Sequence, residues 1–260
     1  MISIRYQLLW RVIRLLLLCL VSLTPLLLTG PLWTWKFSDL DLDTHWSRSS
    51  QATVTIPKAE ATKDEAVIQI YGARAYNWRG AFAVHTWIAI KEAGDTDFRR
   101  YDVIGWRHFR GMPVVSESIG LPNRAWFGNA PELYGQVRGQ GAEKLMRKVE
   151  DAIASYPASE FYRVWPGPNS NTFTAHVLRQ VPELRVTLPP TAIGKDFPLS
   201  FWIQPTTGGR GLQLTLWGIF GVSIGIEEGL RFQSFALEFG LNPWKGELYW
   251  PGIGTLYLWS

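Results

Sequence analysis

The chain has 260 residues, enough for one large domain with an appendix, and 47% are hydrophobic, an ordinary share for a globular chain carrying one extra apolar segment. Residues 1–36 hold Arg5, Arg11, Arg14 and Lys36 and no acid. The remaining 22 basic residues balance 22 acidic ones, so nothing here predicts nucleic-acid binding, which wants a basic face. The single cysteine, Cys19, lies in that N-terminal stretch, so the rest of the chain has no disulfide, no thiolate nucleophile and no cysteine metal site.

In chain order, Leu15 to Leu32 comes first. It carries no charge over 18 residues, about the minimum for a membrane span. Arg5, Arg11 and Arg14 precede it and Asp39, Asp41 and Asp43 follow, so the positive-inside bias places the N-terminus in the cytoplasm and the remainder across the membrane. Trp10, Trp33 and Trp35 flank the run where interfacial aromatics belong. A cleaved signal peptide competes, but no small-x-small cleavage site is present, and an uncleaved anchor over 1–36 is the better reading. Pro25 speaks against a soluble core helix, where it would cost about 3 kcal/mol.

Residues 37–65 are polar and read as a linker or irregular lead-in. Strands are predicted at Ala66 to Tyr71, Ala81 to Lys91 and Tyr101 to Trp106. The second alternates, with His85 on the face of Ala83, Trp87 and Ala89. Residues 107–140, rich in Gly and Pro, read as a long loop. A helix is predicted over 141–156 and a short strand over Phe161 to Val164. The rigid turn WPGPNSN then opens a second helix from about Asn171 to Gln180, stopped by Pro182. Beyond Pro189-Pro190, the stretches Leu212 to Ile226, Phe232 to Leu241 and Glu247 to Leu258 read as strands of an antiparallel meander.

The four histidines, His45, His85, His108 and His176, are dispersed and make no metal-ligand pattern; no P-loop, Rossmann glycine pattern or nucleophile elbow is present, and no cofactor is implied. The distinctive local feature is Pro166-Gly167-Pro168-Asn169-Ser170-Asn171. It places Ser170 at a helix N-terminus, where backbone amides and the dipole stabilise developing negative charge. Ser and Asn are also the favoured helix caps, so Ser170 has a purely structural reading, as does His85 as a buried, hydrogen-bonded histidine.

The segments GAFAVHTWIAIK (80–91), DVIGW (102–106), YRVWPGPNSNTF (162–173) and LPPTAIGKD (188–196) together resemble an uncharacterised bacterial family, domain of unknown function 3750, from about residue 66 to the C-terminus. More distantly, the chain resembles circularly permuted papain-like proteins, the group of lecithin retinol acyltransferase and some cell-wall peptidases. They place a strand histidine first and the nucleophile later, at a helix start, often in an Asn-Cys-Glu-His-Phe run. Asn169-Ser170-Asn171-Thr172-Phe173 falls in register with that run, with serine where the group has cysteine. The resemblance implies an α+β fold: a papain-like core over 66–190 and a β-rich C-terminal part over 191–260, behind one transmembrane helix. It also implies Ser170 as nucleophile, His85 as base and Asp102 or His108 as the orienting third residue. Asn169, Asn171 and Thr172 would be oxyanion or substrate-binding groups. Two functions follow. One is a Ser/His hydrolase or acyltransferase acting on amide or ester bonds of the cell envelope, from the periplasmic side of the inner membrane. The other is a catalytically inactive domain of the same fold that binds an envelope ligand or partner.

Overall fold

The computed structural model describes residues 2–38, 40, 42 and 64–259; Asp39, Asp41, Asp43, His45 and nearly all of the polar lead-in lie outside them. The fold is α+β, with two antiparallel sheets and few helices.

Helix α1 (Ile2–Phe37) runs 36 residues, about 54 Å, through Pro25 and Pro31. The expected span falls largely on side chains outside the described residues. Among the described residues no helix is long and apolar enough to cross a membrane. The last turns of α1 dock on the domain. Leu27, Gly30, Pro31 and Thr34 are buried, Thr34 Oγ1 donates to Gly252 O (3.2 Å), and Trp250 Nε1 donates to Thr29 Oγ1 (3.2 Å).

The first sheet has the order β4-β3-β2-β1-β5. Its strands are β1 (Val67–Arg74), β2 (Val84–Lys91), β3 (Phe98–Val103), β4 (Val115–Gly120) and β5 (Glu132–Arg138). Both faces of β1 and β2 are covered, which is why these strands read as almost continuous apolar runs. On one face Ile68, Ile70, Val84, Ile88 and Ile90 meet α3 (Gln140–Ala154) and α4 (Ser170–Gln180), which contribute Met146, Val149, Phe173 and Val177. On the other face Tyr71, Ala73 and Trp87 pack against Trp126 from the loop after β4.

The second sheet is a seven-stranded meander in strict chain order: β6 (Ile203–Pro205), β7 (Gly211–Leu216), β8 (Phe220–Gly225), β9 (Gly229–Ser234), β10 (Leu237–Asn242), β11 (Glu247–Trp250) and β12 (Gly254–Tyr257). Each of the three long strands expected there is a hairpin of two. The expected loop over 107–140 holds β4 and β5, preceded by the single-turn α2 (Gly105–His108). Residues 161–164 are not a strand.

The inner side of this meander is polar. Gln213, Thr215, Arg231, Glu238 and Asn242 are buried on it. Arg231 Nη1 donates to Glu238 Oε1 (3.1 Å) and Lys195 Nζ donates to Glu238 Oε2 and to Asp196 Oδ2. Gln213 Nε2 donates to Asp196 Oδ1 (2.6 Å), and Arg179 Nη2 donates to Gln213 Oε1 (3.0 Å). The Arg231 guanidinium also lies over the Tyr249 ring, 3.6 Å from its centroid. Burial pulls the Arg179 guanidinium down to about 10. Charges removed from water persist only when paired in this way.

Candidate functional site

The turn before α4 carries two cis X–Pro bonds, at Trp165-Pro166 and Gly167-Pro168. The helix is capped by Asn169. Its Oδ1 accepts from Asn171 N (2.9 Å) and Thr172 N (3.2 Å), and the Thr172 hydroxyl accepts from Asn169 N (3.0 Å), a reciprocal capping box. The Asn169 amide nitrogen donates to Val164 O and Ile193 O, both at 3.0 Å. Gly194 has φ +98 and sits so close that a Cβ there would fall within the Asn169 amide, which ties LPPTAIGKD to the WPGPNSN turn. The Asn171 amide nitrogen donates to Val84 O (2.9 Å) and Ile193 O (2.8 Å), and its oxygen accepts from Thr86 Oγ1 (2.9 Å). The Thr172 hydroxyl donates to Gly194 O (2.7 Å).

These bonds redistribute the roles expected around the turn. The backbone N–H groups of Asn171 and Thr172, and the side chains of Asn169 and Asn171, are committed to the cap and to β2, so the expected oxyanion donors are occupied. Asn169, not Ser170, is the cap. Ser170 is the first residue inside the helix, its hydroxyl makes no hydrogen bond among the described residues, and its own N–H is the one first-turn amide left unengaged. Ser170 is buried yet lines a cavity of about 470 Å³.

His85 lines the same cavity. It is the second residue of β2, next to Thr86, whose hydroxyl reaches Ser170 O at 3.4 Å. The imidazole stacks flat on Trp126, with centroids 3.6 Å apart and planes at 8°. Its Nε2 is sealed from solvent, 3.7 Å from Asp102 Oδ2, and has no hydrogen bond among the described residues. Nε2 thus points to Asp102 and not into the cavity. No hydrogen bond joins His85 to Ser170.

Asp102 on β3 is held by Arg100, with Nε at 3.1 Å and Nη2 at 2.9 Å from Oδ2. Arg100 in turn covers the Trp87 ring at 4.1 Å. Burial opposes ionisation of Asp102, but His85 and Arg100 together hold its carboxyl below the ordinary carboxylate range. Burial lowers the His85 pKa, with Asp102 pulling the other way, so the ring is neutral at pH 7.

The structure thus brings Ser170, His85 and Asp102 to one locality. His108 is elsewhere, at the end of α2, with Nδ1 3.0 Å from Glu160 O and its ring against Phe109 and Phe161; it does not line the cavity. Sequence reasoning missed Trp126 and Arg100. Arg100 was findable, because β3 alternates and puts Arg100 on the face of Asp102. Trp126 was hidden in the region read as loop. The rest of the cavity wall is largely apolar, including Trp78, Phe82, Phe127, Val164 and Ile193.

A domain of two antiparallel sheets with an uncommitted serine at a buried helix start is the class these features define. The chain belongs to a family of proteins of unknown function (DUF3750), which matches residues 65–197 and stops short of the meander. That interval holds Ser170, His85, Asp102 and the Gly194 contact. No curated protein and no solved structure matches the chain.

Proposed function

We propose that the domain is a membrane-anchored hydrolase or acyltransferase of circularly permuted papain-like type, acting from the periplasmic side on an ester or amide with an apolar acyl group. One observation carries the reading: Ser170 and neutral His85 line the same apolar cavity while the structural duty of the turn rests on Asn169. A cavity of about 470 Å³ suits a ligand of modest size.

In this mechanism Ser170 Oγ attacks the carbonyl carbon as its proton passes to His85 Nδ1. The Ser170 N–H faces the oxygen that becomes negative. Asp102 stabilises the imidazolium through Nε2–H. His85 then returns the proton to the departing oxygen or nitrogen, and the acyl group leaves Ser170 for water or for another alcohol or amine. Catalytic hydrogen bonds often tighten only when substrate is bound, so Ser170 and His85 need not be bonded in the free protein.

A fluorophosphonate probe applied to the full-length protein tests this. Labelling at Ser170 is expected, with none in Ser170→Ala and a loss of about 10²-fold or more in His85→Ala. Undiminished labelling of Ser170→Ala removes Ser170 as nucleophile. The pH profile is a second check. A depressed His85 pKa keeps the base form present below the ordinary value of 6.5, so the labelling rate should hold from pH 7 through 6.5 and fall only at lower pH. A midpoint above 6.5 contradicts a buried neutral base.

The missing Ser170–His85 hydrogen bond favours a second reading, an inactive domain that binds an apolar envelope ligand. It predicts no covalent labelling of the wild type, but displacement of a fluorescent fatty-acyl probe from the cavity by Trp126-facing ligands.

A further inference from the structure

The outer face of the seven-stranded sheet is the largest feature that the cavity chemistry leaves unexplained. Cross-strand register makes it continuous. Leu212 pairs with Ile224, Ile224 with Leu230, Leu230 with Leu241, Leu241 with Leu248, and Leu248 with Leu256. That row crosses six strands, about 24 Å at the usual strand spacing. A parallel row runs through Ile203, Leu214, Val222, Phe232 and Phe239. Neither row contains a charged or polar side chain, and Leu212 (61%) and Ile224 (59%) are largely exposed. A groove of about 550 Å³, lined by residues such as Phe232, Leu241 and Trp250, deepens the face. A monomer in water rarely leaves an apolar surface of this extent uncovered.

Three observations indicate what covers it. First, α1 leaves the domain at this face. Leu248 and Trp250 share one side of β11, Trp250 Nε1 bonds Thr29 Oγ1, and Gly30 and Pro31 pack closely against Trp250 and the Pro251-Gly252 turn. The uncharged run Leu15 to Leu32 therefore begins where the apolar rows end. Second, the turns at the margins carry exposed tryptophans: Trp202 and Trp217 at one end, Trp244 and Trp259 at the other. Indoles with a wet edge favour the headgroup level of a bilayer. Third, the charged side chains of the same strands, Arg231, Glu238 and Glu247, are turned inward and hydrogen-bonded, so the strands present no charge that contact with lipid would strip of water.

We propose that the outer face of the seven-stranded sheet is a membrane-docking surface, lying against the bilayer that α1 enters. The inference rests on the reading of α1 as an anchor. In this arrangement the sheet holds the domain at the lipid surface, so that the Ser170 cavity draws an acyl-bearing substrate from the bilayer side and not from bulk solvent.

The test uses full-length protein in phosphatidylcholine vesicles, with Cys19→Ser as background and single cysteines carrying an NBD fluorophore. Leu214→Cys and Leu241→Cys report the face, Leu23→Cys reports α1, and Arg147→Cys on exposed α3 is the control. The expected result is loss of emission with brominated lipid and protection from iodide at Leu214, Leu241 and Leu23, with the reverse at Arg147. Quenching by brominated lipid at Leu23 with iodide access at Leu214 and Leu241 overturns the docking surface and leaves the anchor standing. Iodide access at all of these positions, Leu23 included, removes the anchor and the docking surface with it. Protection of the Leu214→Cys fluorophore from both quenchers, with an oxidant cross-linking the unlabelled Leu214→Cys protein into a disulfide dimer, assigns the face to a second copy and also overturns the inference.

Discussion

In β2, the side chains that meet α4 are Val84, Thr86, Ile88 and Ile90, and all are buried. In β7, the inward side chains are Gln213 and Thr215, while Leu212, Leu214 and Leu216 point out. Side chains alternate between the two faces of both strands, but every residue of β2 is buried whereas only the inward side chains of β7 are. The pattern identifies a strand and its two faces. It does not say which face is inside. That depends on what each face meets: α3 and α4 offer apolar side chains to the first sheet, whereas Lys195, Asp196 and Arg179 offer charges to the second. In the second sheet the interior is held by paired charges, and the apolar side chains face outward.

The sharpest way to break this comparison is to place the same charge on equivalent apolar positions of the two sheets. Ile88→Asp buries a carboxylate without a partner and should cost more than about 5 kcal/mol, a large part of the 5–15 kcal/mol that holds a typical domain folded. Ile224→Asp, on the outer face of β8, should change stability in detergent by no more than about 0.5 kcal/mol and lessen aggregation of detergent-depleted protein. Chemical unfolding followed by circular dichroism reads both. Equal destabilisation by the two would show that the outer face of the meander is packed within the chain.

The next effect in size concerns the polar interior. Glu238 accepts from both Arg231 and Lys195, so Glu238→Gln leaves two buried cations short of charge and should cost about 3–5 kcal/mol. Replacing Lys195 and Glu238 together by Met and Leu should recover part of that loss, because the desolvation cost of Lys195 disappears with it while Arg231 still lacks its carboxylate. If the double variant is less stable than Glu238→Gln, the cluster has a role beyond mutual charge compensation.

The two sheets were also unequally legible. β1 and β2 are legible because AVIQIY and AFAVHTWIAIK are mostly apolar and rich in β-branched residues, and the second also alternates. Helices α3 and α4 were found from their 3.6-residue period and from the proline-rich turn, with α4 beginning one residue earlier than expected. Strands β4 and β5 escaped because VSESIG and ELYGQVR are half exposed and mix polar and apolar residues without a clean alternation. The hairpins of the meander were merged because their turns are as apolar as the strands: Phe235 turns at φ +57 with no Gly or Asn beside it, and Gly218 and Gly252 are set among Trp217, Ile219, Pro251 and Ile253, so the apolar run continues across each turn. At the site, Ser170, His85 and Asp102 were visible as residue types in a familiar order. The assignment of the cap was not, because Asn169 and Ser170 are equally good caps by composition and only the bonds to Ile193 and Gly194, more than twenty residues away, decide between them.

The smallest predicted effect separates those two neighbours. Asn169 carries the capping box and two further bonds that tie the turn to Val164 and Ile193. Asn169→Ala removes a cap, worth about 0.5–2 kcal/mol, and takes the side-chain donor from Val164 O, while Ile193 O keeps its bond from Asn171, so a loss of about 2 kcal/mol is expected. Ser170 carries none of this. Its hydroxyl has no partner among the described residues, and alanine is the better helix former, so Ser170→Ala should shift stability by less than about 0.5 kcal/mol in either direction. The measurement is the midpoint of denaturant unfolding for the two variants in the same detergent. A loss of 1 kcal/mol or more in Ser170→Ala, about what a cap provides, would show that its hydroxyl supports the turn after all, and a structural role would then account for a serine at this position. A silent Ser170→Ala beside a destabilised Asn169→Ala leaves a serine in the wall of the cavity that His85 also lines, with no duty in folding.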